Sequence, residues 1–266
     1  MLALVDPAHR GYIEGVHDFR VAARSLRAAL RTLTRKADAP LVEQTKRALR
    51  VAIRTLADVR DRDVGRSLIL KLKSGPAIDP GLKRRILGLS DSDRRMALIH
   101  SETHWPKKLD GQLIALLRRG EASVKTVIRR TRAEAWQQRR RAIDILDLLG
   151  RRYSPLPLHD LRRRIRALRY ALEVLAEVDS GANARVLQLK PLQSALGDAQ
   201  DRIVLSRWLA SRAARFRRSD PGLSGALRRQ AAHFRAQSIR AHASFLQVKP
   251  KRVLEGLALH VDPHSD

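Results

Sequence analysis

The chain contains no cysteine, and its 266 residues include only three Trp, three Tyr and four Phe. The absence of cysteine excludes disulfides and thiolate metal sites, and a disulfide-stabilised secreted domain is not expected. No apolar run approaches the roughly 18 residues of a transmembrane helix, and the N-terminus lacks the pattern of a signal peptide. We therefore expect a soluble, cytoplasmic protein that does not interact with membranes.

Acidic residues are scarce relative to basic ones. The sequence has 54 Lys and Arg against 27 Asp and Glu, a formal net charge of +27. Such an excess predicts a polyanionic partner. Most of the basic residues are arginines, whose planar guanidinium matches phosphate oxygens and stays charged, so phosphate groups are the leading candidates. Arginine that simply solvates a surface remains the alternative outside the repeated segments.

A histidine and arginine pattern occurs twice. Residues 17–30 and 159–172 are identical at eight of 14 aligned positions. On a helix of 3.6 residues per turn, the cations of each copy share one face and the apolar residues share the opposite face. We call the cations the first and second basic rows, and expect them to face a ligand. The first row is His17, Arg20, Arg24, Arg27 and Arg31, and the second is His159, Arg162, Arg166 and Arg169.

The remaining segments predict further helices and no strands. Leu, Ala, Val and Ile dominate the apolar residues, and helical periodicity recurs along the chain. The predicted fold class is all-α, with two four-helix bundles related by the internal repeat. Residues 1–150 form the first half and residues 151–266 the second. A basic helix over residues 41–56 places Arg47, Arg50 and Arg54 where they extend the first row.

Local signals predict the limits of several helices. The rows are expected on helices over residues 12–36 and up to about 178. Ser and Asp at positions 90–93 predict the N-cap of a helix separate from a short one at 79–89. Residues 180–183 are typical of a turn, and separate helices are expected up to residue 196 and over residues 202–217.

The two row histidines allow three interpretations: anion ligands, metal ligands, or buried structural groups. The nearby aspartates allow two, because they either form a metal cluster or cap helices and orient arginines, and the second is favoured. These acids are Asp58, Asp61, Asp63, Asp198 and Asp201. No spacing specifies a catalytic centre, so neither an enzyme nor a cofactor or metal is expected.

Four segments together resemble the CHAD family, the conserved histidine alpha-helical domain. HDFRVAAR at 17–24 and HDLRRRIRALRYALE at 159–173 resemble its two histidine motifs. LADVRDRDV at 56–64 is similar to the family pattern L-G-x-x-R-D-x-D-V, with Ala57 where glycine is common. KPLQSALGDAQD at 190–201 resembles its K-x-L-Q-x-x-L-G-x-x-x-D pattern. The resemblance covers most of the chain.

The resemblance implies two four-helix bundles with pseudo-twofold symmetry, whose basic faces line a shared cleft that binds inorganic polyphosphate. It also implies an association with polyphosphate granules. We therefore expect non-catalytic polyphosphate binding, which phosphate or sulfate ions would mimic. The alternative is a general binder of nucleic acids or acidic proteins, without sequence specificity. The expected binding residues are the two basic rows with Arg47, Arg50, Arg54 and Lys190.

Overall fold

The computed structural model describes residues 1–73, 78–119, 122–150, 152–257 and 259, except for the side chains of Arg31 and Ser180. Within this part the chain forms helices and no β-sheet, which confirms the predicted all-α class. The helices are α1 (Val5–His9), α2 (Ile13–Leu33), α3 (Ala39–Thr55), α4 (Ala57–Leu70), α5 (Pro80–Thr103), α6 (Leu109–Leu117), α7 (Val124–Leu149), α8 (Pro155–Ala176), α9 (Ser180–Arg215), α10 (Pro221–Gln247) and α11 (Pro250–Glu255).

The two basic rows lie on α2 and α8, which begin and end close to their predicted limits. Each helix buries an apolar stripe, represented by Phe19 and Leu30 in α2 and by Leu161 and Ile165 in α8. Pro155 occupies the first position of α8, where its missing N–H would have had no helical partner. The amphipathic pattern of each segment thus fixes which of its faces remains available.

The expected helix break at residues 90–93 is wrong, because α5 runs through these residues without interruption. Ser90 is buried, and the two neighbouring acids make tertiary contacts instead of capping a helix. Asp91 pairs with Arg66 at 3.1 Å, and Asp93 accepts a hydrogen bond from the indole N–H of Trp208 at 2.7 Å. These partners lie 25 or more residues away, so local sequence could not identify them.

The expected turn at residues 180–183 and the break before residue 202 are also wrong, since α9 is one helix of 36 residues. Asp179 is its N-cap and accepts a hydrogen bond from the N–H of Gly181 at 2.9 Å. The turn-forming residues are therefore the first turn of the helix. Pro191 lies inside α9 but is exposed, and so is Leu187 one turn earlier, which leaves the interrupted backbone turn on the solvent side.

Three apolar clusters hold the helices together. One surrounds Phe19 and joins α1, α2, α3, α4 and α6. A second surrounds Leu168 and joins α7, α8, α9, α10 and α11, and a third surrounds Phe234 and joins α4, α5, α9 and α10. Burying one such side chain contributes about 1.5–3 kcal/mol, so the clusters rather than helix propensity determine the arrangement.

Four helices, α2, α4, α8 and α9, pack in a closed ring. α2 packs against α8, α8 against α9, α9 against α4, and α4 against α2. α2 and α8 carry the two basic rows. α4 and α9 carry the segments that contain the aspartates, which we call the first aspartate motif (residues 56–64) and the second aspartate motif (residues 190–201). The ring therefore brings all four segments together. The third cluster and the pair of Arg212 with Asp93, at 2.5 Å, fix α9 relative to α5.

The division of the chain at residue 150 and the internal repeat both stay predictions. α7 precedes the expected boundary, yet it packs extensively on α8. The third apolar cluster also combines residues from before and after the boundary. Among the described residues, no helix combines the length and apolar character required to span a membrane.

Candidate anion-binding site

Small side chains let α2 and α8 approach each other. Ala28 of α2 and Ala167 of α8, together with Tyr170, line one shallow depression beside α7. Ala28 follows Arg24 by one helical turn, and Tyr170 follows Arg166 by one turn. The close approach of the two helices at this depression therefore brings Arg24 and Arg166 toward each other.

Four arginines of the two rows form a central arginine cluster, which we define as Arg20, Arg24, Arg162 and Arg166. Burial lowers the pKa of Arg20 and of Arg24 to about 10, with added repulsion from Arg60 of α4 and from α8 on Arg20, and from Arg20 and Arg162 on Arg24. Burial and repulsion by Arg162 and Arg24 lower the pKa of Arg166 to about 9. Since these values lie above neutral pH, the guanidinium groups stay charged and positive charge accumulates between α2 and α8.

Arg20 has a structural contact as well as a place in the cluster. Its side chain is buried, with only 8% of the residue exposed, and its Nη1 donates a hydrogen bond to the carbonyl oxygen of Ile53 in α3. Attraction by Asp61 of α4 partly offsets the lowering of its pKa. The helix projection placed Arg20 on an open face, whereas packing by α3 and α4 covers most of it. Part of its guanidinium is thus committed to holding α2 in place.

Two carboxylates lie beside the central cluster. Burial raises the pKa of Asp61 and of Asp201, while Arg20 attracts the first carboxylate and Arg162 the second. Repulsion between Asp61 and Asp201 adds to the raised pKa of Asp61, so both acids belong to one charged group. Two carboxylates cannot neutralise four arginines, and the group keeps a net positive charge.

The aspartates of the two motifs do not form a metal site in the part of the chain that the structure describes. No group of three His, Asp or Glu side chains in this part could hold a metal ion. Asp63 is buried and pairs instead with Arg94 at 2.5 Å, and Arg94 also donates to the carbonyl oxygen of Gly11 at 2.7 Å. Asp63 therefore serves the packing of α4 on α5, away from the basic rows.

The two row histidines lie at the outer ends of the rows, and both are exposed. Partial desolvation, followed by repulsion from Arg60 and from row arginines, lowers the pKa of His17. Desolvation and repulsion by second-row arginines lower the pKa of His159, which also hydrogen-bonds with Gln200. Both imidazoles are consequently neutral at neutral pH and would gain a proton more readily beside an anion.

A second basic group extends from the first row toward α3. Burial lowers the pKa of Arg27, and repulsion by Arg50, Arg163 and Arg54 adds to this effect. The Nε of Arg27 is buried and has no hydrogen-bond partner among the residues that the structure describes. A donor left without an acceptor in a basic environment is suited to an oxygen-rich anion. We call Arg27, Arg50, Arg54 and Arg163 the α3-side group.

Arg169, at the end of the second row, already has partners. Its guanidinium carbon lies 5.0 Å from the ring centroid of Tyr170, and its Nε lies 3.4 Å from a carboxylate oxygen of Glu173. Glu173 occupies the position that corresponds to Arg31 in the first copy. The side chain of Arg31 lies outside the described residues, so its role as a ligand stays a prediction.

The two remaining predicted ligands are exposed cations on neighbouring helices. Arg47 lies on α3, one turn before Arg50. Lys190 lies on α9, seven residues before Gly197 and therefore on the same face. A Cβ atom added at Gly197 would lie 3.9 Å from Nη2 of Arg162, so this face of α9 borders the second row.

Sequence reasoning missed three residues that belong to the same environment: Arg60, Arg163 and Tyr170. Repulsion by Arg60 lowers the pKa of His17 and of Arg20, and repulsion by Arg163 lowers the pKa of Arg27. Tyr170 has the opposite effect on the pKa of Arg24 and of Arg166. Arg60 was visible as part of the first aspartate motif, but its distance in sequence from the rows gave no reason to select it. Arg163 lies one residue out of register with the second row.

The fold is an all-α arrangement with a basic centre between α2 and α8. The family model of the CHAD domain matches residues 1–210, so the chain belongs to the CHAD family. Among solved structures, the chain is similar to PptA from Streptomyces chartreusis, with a TM-score of 0.69 and 21% identity over 94% of this chain and 93% of that one. At this identity the similarity is one of fold. No curated protein sequence gives a significant match.

Proposed function

We propose that this protein binds inorganic polyphosphate without catalysis, in a basic cleft lined by the two rows and the α3-side group. The observation that carries the proposal is the central arginine cluster, in which burial and repulsion between guanidinium groups of α2 and α8 lower the pKa of Arg20, Arg24 and Arg166. A bound polyanion would reverse this effect, because its negative charge favours the charged form of each guanidinium. Membership of a family associated with polyphosphate supports the choice of ligand.

The form of the site suits a linear anion. The first row extends over 15 residues from His17 to Arg31, about 21 Å along a helix, so it can contact several successive phosphates. Arginine forks bind tetrahedral phosphate groups through paired hydrogen bonds. Among the described residues, Tyr170 is the aromatic side chain that acts on the row arginines, and it is buried, so it offers no ring face for base stacking. Charge density rather than base identity is therefore the property recognised.

The direct test compares polyphosphate with single-stranded DNA of equal charge in a calorimetric titration near physiological salt. Polyphosphate is expected to bind more tightly, because DNA spaces its charges more widely and offers bases for which the site has no platform. Equal affinities would contradict the proposal and favour general polyanion binding. If polyphosphate is the cellular ligand, the protein is expected to co-localise with polyphosphate granules.

Affinity for long-chain polyphosphate is expected to rise as pH falls from about 7.5 to about 5.5. His17 and His159 have lowered pKa values and are neutral at the upper limit, and protonation adds two positive charges beside the ligand. The raised pKa values of Asp61 and Asp201 act in the same direction, because any protonation of these acids on acidification removes negative charge beside the ligand. Titration calorimetry at several pH values measures the effect, and long chains keep the titration of phosphate end groups small.

The control for this dependence is the double variant His17→Gln and His159→Gln. It should retain only the smaller part of the rise that comes from the two aspartates. The ligand-free protein should show the opposite trend in stability. Because the folded state lowers the histidine pKa values, the unfolded state takes up protons more readily below about 6.5 and the melting temperature falls. A wild-type affinity that is constant with pH, or that falls on acidification, would contradict the assignment of the histidines.

A further inference from the structure

A second concentration of positive charge lies at the end of the molecule where α4 ends, α5 begins and α9 turns into α10. We call it the tip surface, and its exposed cations are Lys71, Arg84, Arg85, Arg215, Arg217 and Arg218. Residues 71–89 and 211–231 contain eleven Lys and Arg but only two acids, Asp79 and Asp220. The local charge is therefore strongly positive and nearly uncompensated.

The scaffold beneath the tip surface is well defined. Lys83 donates hydrogen bonds from Nζ to the carbonyl oxygens of Leu70 and Leu72, at 2.9 and 2.8 Å, and so joins the start of α5 to the end of α4. Phe216, in the connection between α9 and α10, packs against the third apolar cluster, which includes Ile86 of α5. The cations are thus carried by helix ends whose relative positions are fixed.

The two acids of this region are occupied by local contacts. Asp79 caps α5 by accepting the N–H of Leu82 at 2.8 Å, and Asp220 caps α10 in the same way through Leu223. Asp220 also pairs with Arg85 at 2.6 Å. Across the described residues, no carboxylate lies within 4 Å of the other arginines of the tip surface, which are Arg84, Arg215, Arg217 and Arg218.

The tip surface is separate from the central arginine cluster. Asp201, beside the cluster, and Arg215, at the tip, are 14 residues apart on the continuous helix α9, about 21 Å along its axis. Arg215, Arg217 and Arg218 also lie beyond residue 210, where the match to the CHAD family model ends. A ligand chain held at the centre therefore leaves the tip available for another segment.

We propose that the tip surface is a second binding site for linear polyphosphate, so that one protein molecule holds two segments of the polymer. This inference rests on the proposed function, because it assigns the same ligand to both sites. Two sites on one rigid body raise the affinity for a long chain through effective concentration, and they cross-link separate chains when protein and polymer are mixed.

Polyphosphate fits the tip better than nucleic acid does. The binding groups at the tip are exposed Arg and Lys side chains, and the aromatic side chains nearby belong to the apolar core. Phe216 packs in the third cluster, and Trp208 is buried with its indole N–H bonded to Asp93. Single-stranded nucleic acids gain affinity from base stacking on exposed aromatic rings, which this surface lacks.

The experiment compares the tip variant Arg84→Gln, Arg217→Gln and Arg218→Gln with a control variant of equal charge, Arg95→Gln, Arg141→Gln and Arg252→Gln. All six side chains are exposed, so both variants should fold like the wild type, which circular dichroism verifies. Affinity is measured for a long polyphosphate and for a short oligomer that covers one site only. Light scattering measures cross-linking by the long polymer.

We expect the tip variant to lose about a hundredfold in affinity for the long polymer, together with the scattering signal. Its affinity for the short oligomer should stay that of the control. Equal long-chain affinity and scattering in both variants would overturn the proposal. So would a tip that binds equal-charge single-stranded DNA as tightly as polyphosphate, measured in the Arg24→Gln and Arg166→Gln background.

Failure of the proposed function gives a different result. In that case the short oligomer would not bind the wild type, or its binding would be insensitive to replacement of Arg24 and Arg166. The difference between the tip variant and its control on the long polymer would still report on the tip surface alone. The two proposals can therefore fail independently.

Discussion

Replacing Arg24 and Arg166 together by glutamine is expected to weaken polyphosphate binding at least a hundredfold. Each guanidinium is expected to make charge-assisted hydrogen bonds to phosphate that contribute about 1.5–3 kcal/mol, so the pair contributes about 3–6 kcal/mol. In the described part of the chain, neither guanidinium has a carboxylate within 4 Å that would keep it from a ligand. Titration with a short oligomer measures the loss.

The same double variant should be more stable than the wild type when no ligand is present. Burial and repulsion lower the pKa of both arginines in the folded state, which means that their charges oppose folding at neutral pH. Their removal should raise the melting temperature while affinity falls. The matched control is Arg95→Gln with Arg141→Gln, which removes two exposed charges elsewhere. If the cluster variant binds like this control, the central cluster is not the site.

Affinity should also fall steeply with salt. If about six cations contact phosphates of a single chain, the logarithm of the association constant changes with the logarithm of salt concentration with a slope near −4. Raising salt from about 50 to about 200 mM then costs a few hundredfold in affinity. Titrations at four or more salt concentrations give the slope for the wild type.

The slope of this salt dependence is proportional to the number of phosphate contacts, so it also tests whether individual residues contact phosphate. The Arg24→Gln and Arg166→Gln variant should lower its magnitude by about 1.4, because two phosphate contacts are lost. The control variant should keep the wild-type slope. A slope near zero would show that binding does not depend on phosphate contacts and would contradict the electrostatic account.

The positions of the basic rows could be predicted because they depend on helix geometry alone. Arg20, Arg24 and Arg27 share a face in any α-helix, and the apolar residues opposite them identify the buried side. The resemblance to the CHAD family then indicated the ligand, and the match over residues 1–210 confirmed the family. The sequence thus indicates which residues share a face of each helix, but not which other helices pack against that face.

The features that sequence analysis missed, which are the burial of Arg20 and the participation of Arg60 and Arg163, depend on tertiary packing. Arg20 is buried because α3 supplies the Ile53 carbonyl and α4 supplies Asp61, and nothing in the spacing of the row indicates either partner. Arg60 and Arg163 join the site for the same reason, since α4 brings Arg60 to the first row and α2 brings Arg27 to Arg163 of α8.

Helix continuity was missed for a related reason. The residues at 90–93 have strong capping propensity, but Asp91 and Asp93 find partners on α4 and α9, which lets α5 continue. In α9, Pro191 and Gly197 both favour a break locally. Buried residues such as Leu192 and Leu196 on the inner face outweigh that preference by packing in the second apolar cluster.

The most direct test of the account is a crystal structure of the protein with a short polyphosphate oligomer. The account predicts a row of phosphates between α2 and α8, with oxygens bonded to Arg24 and Arg166 and a further phosphate within reach of the unpaired Nε of Arg27. Phosphates found only on outer faces of the helices, with the central arginines unchanged and without ligand, would contradict it.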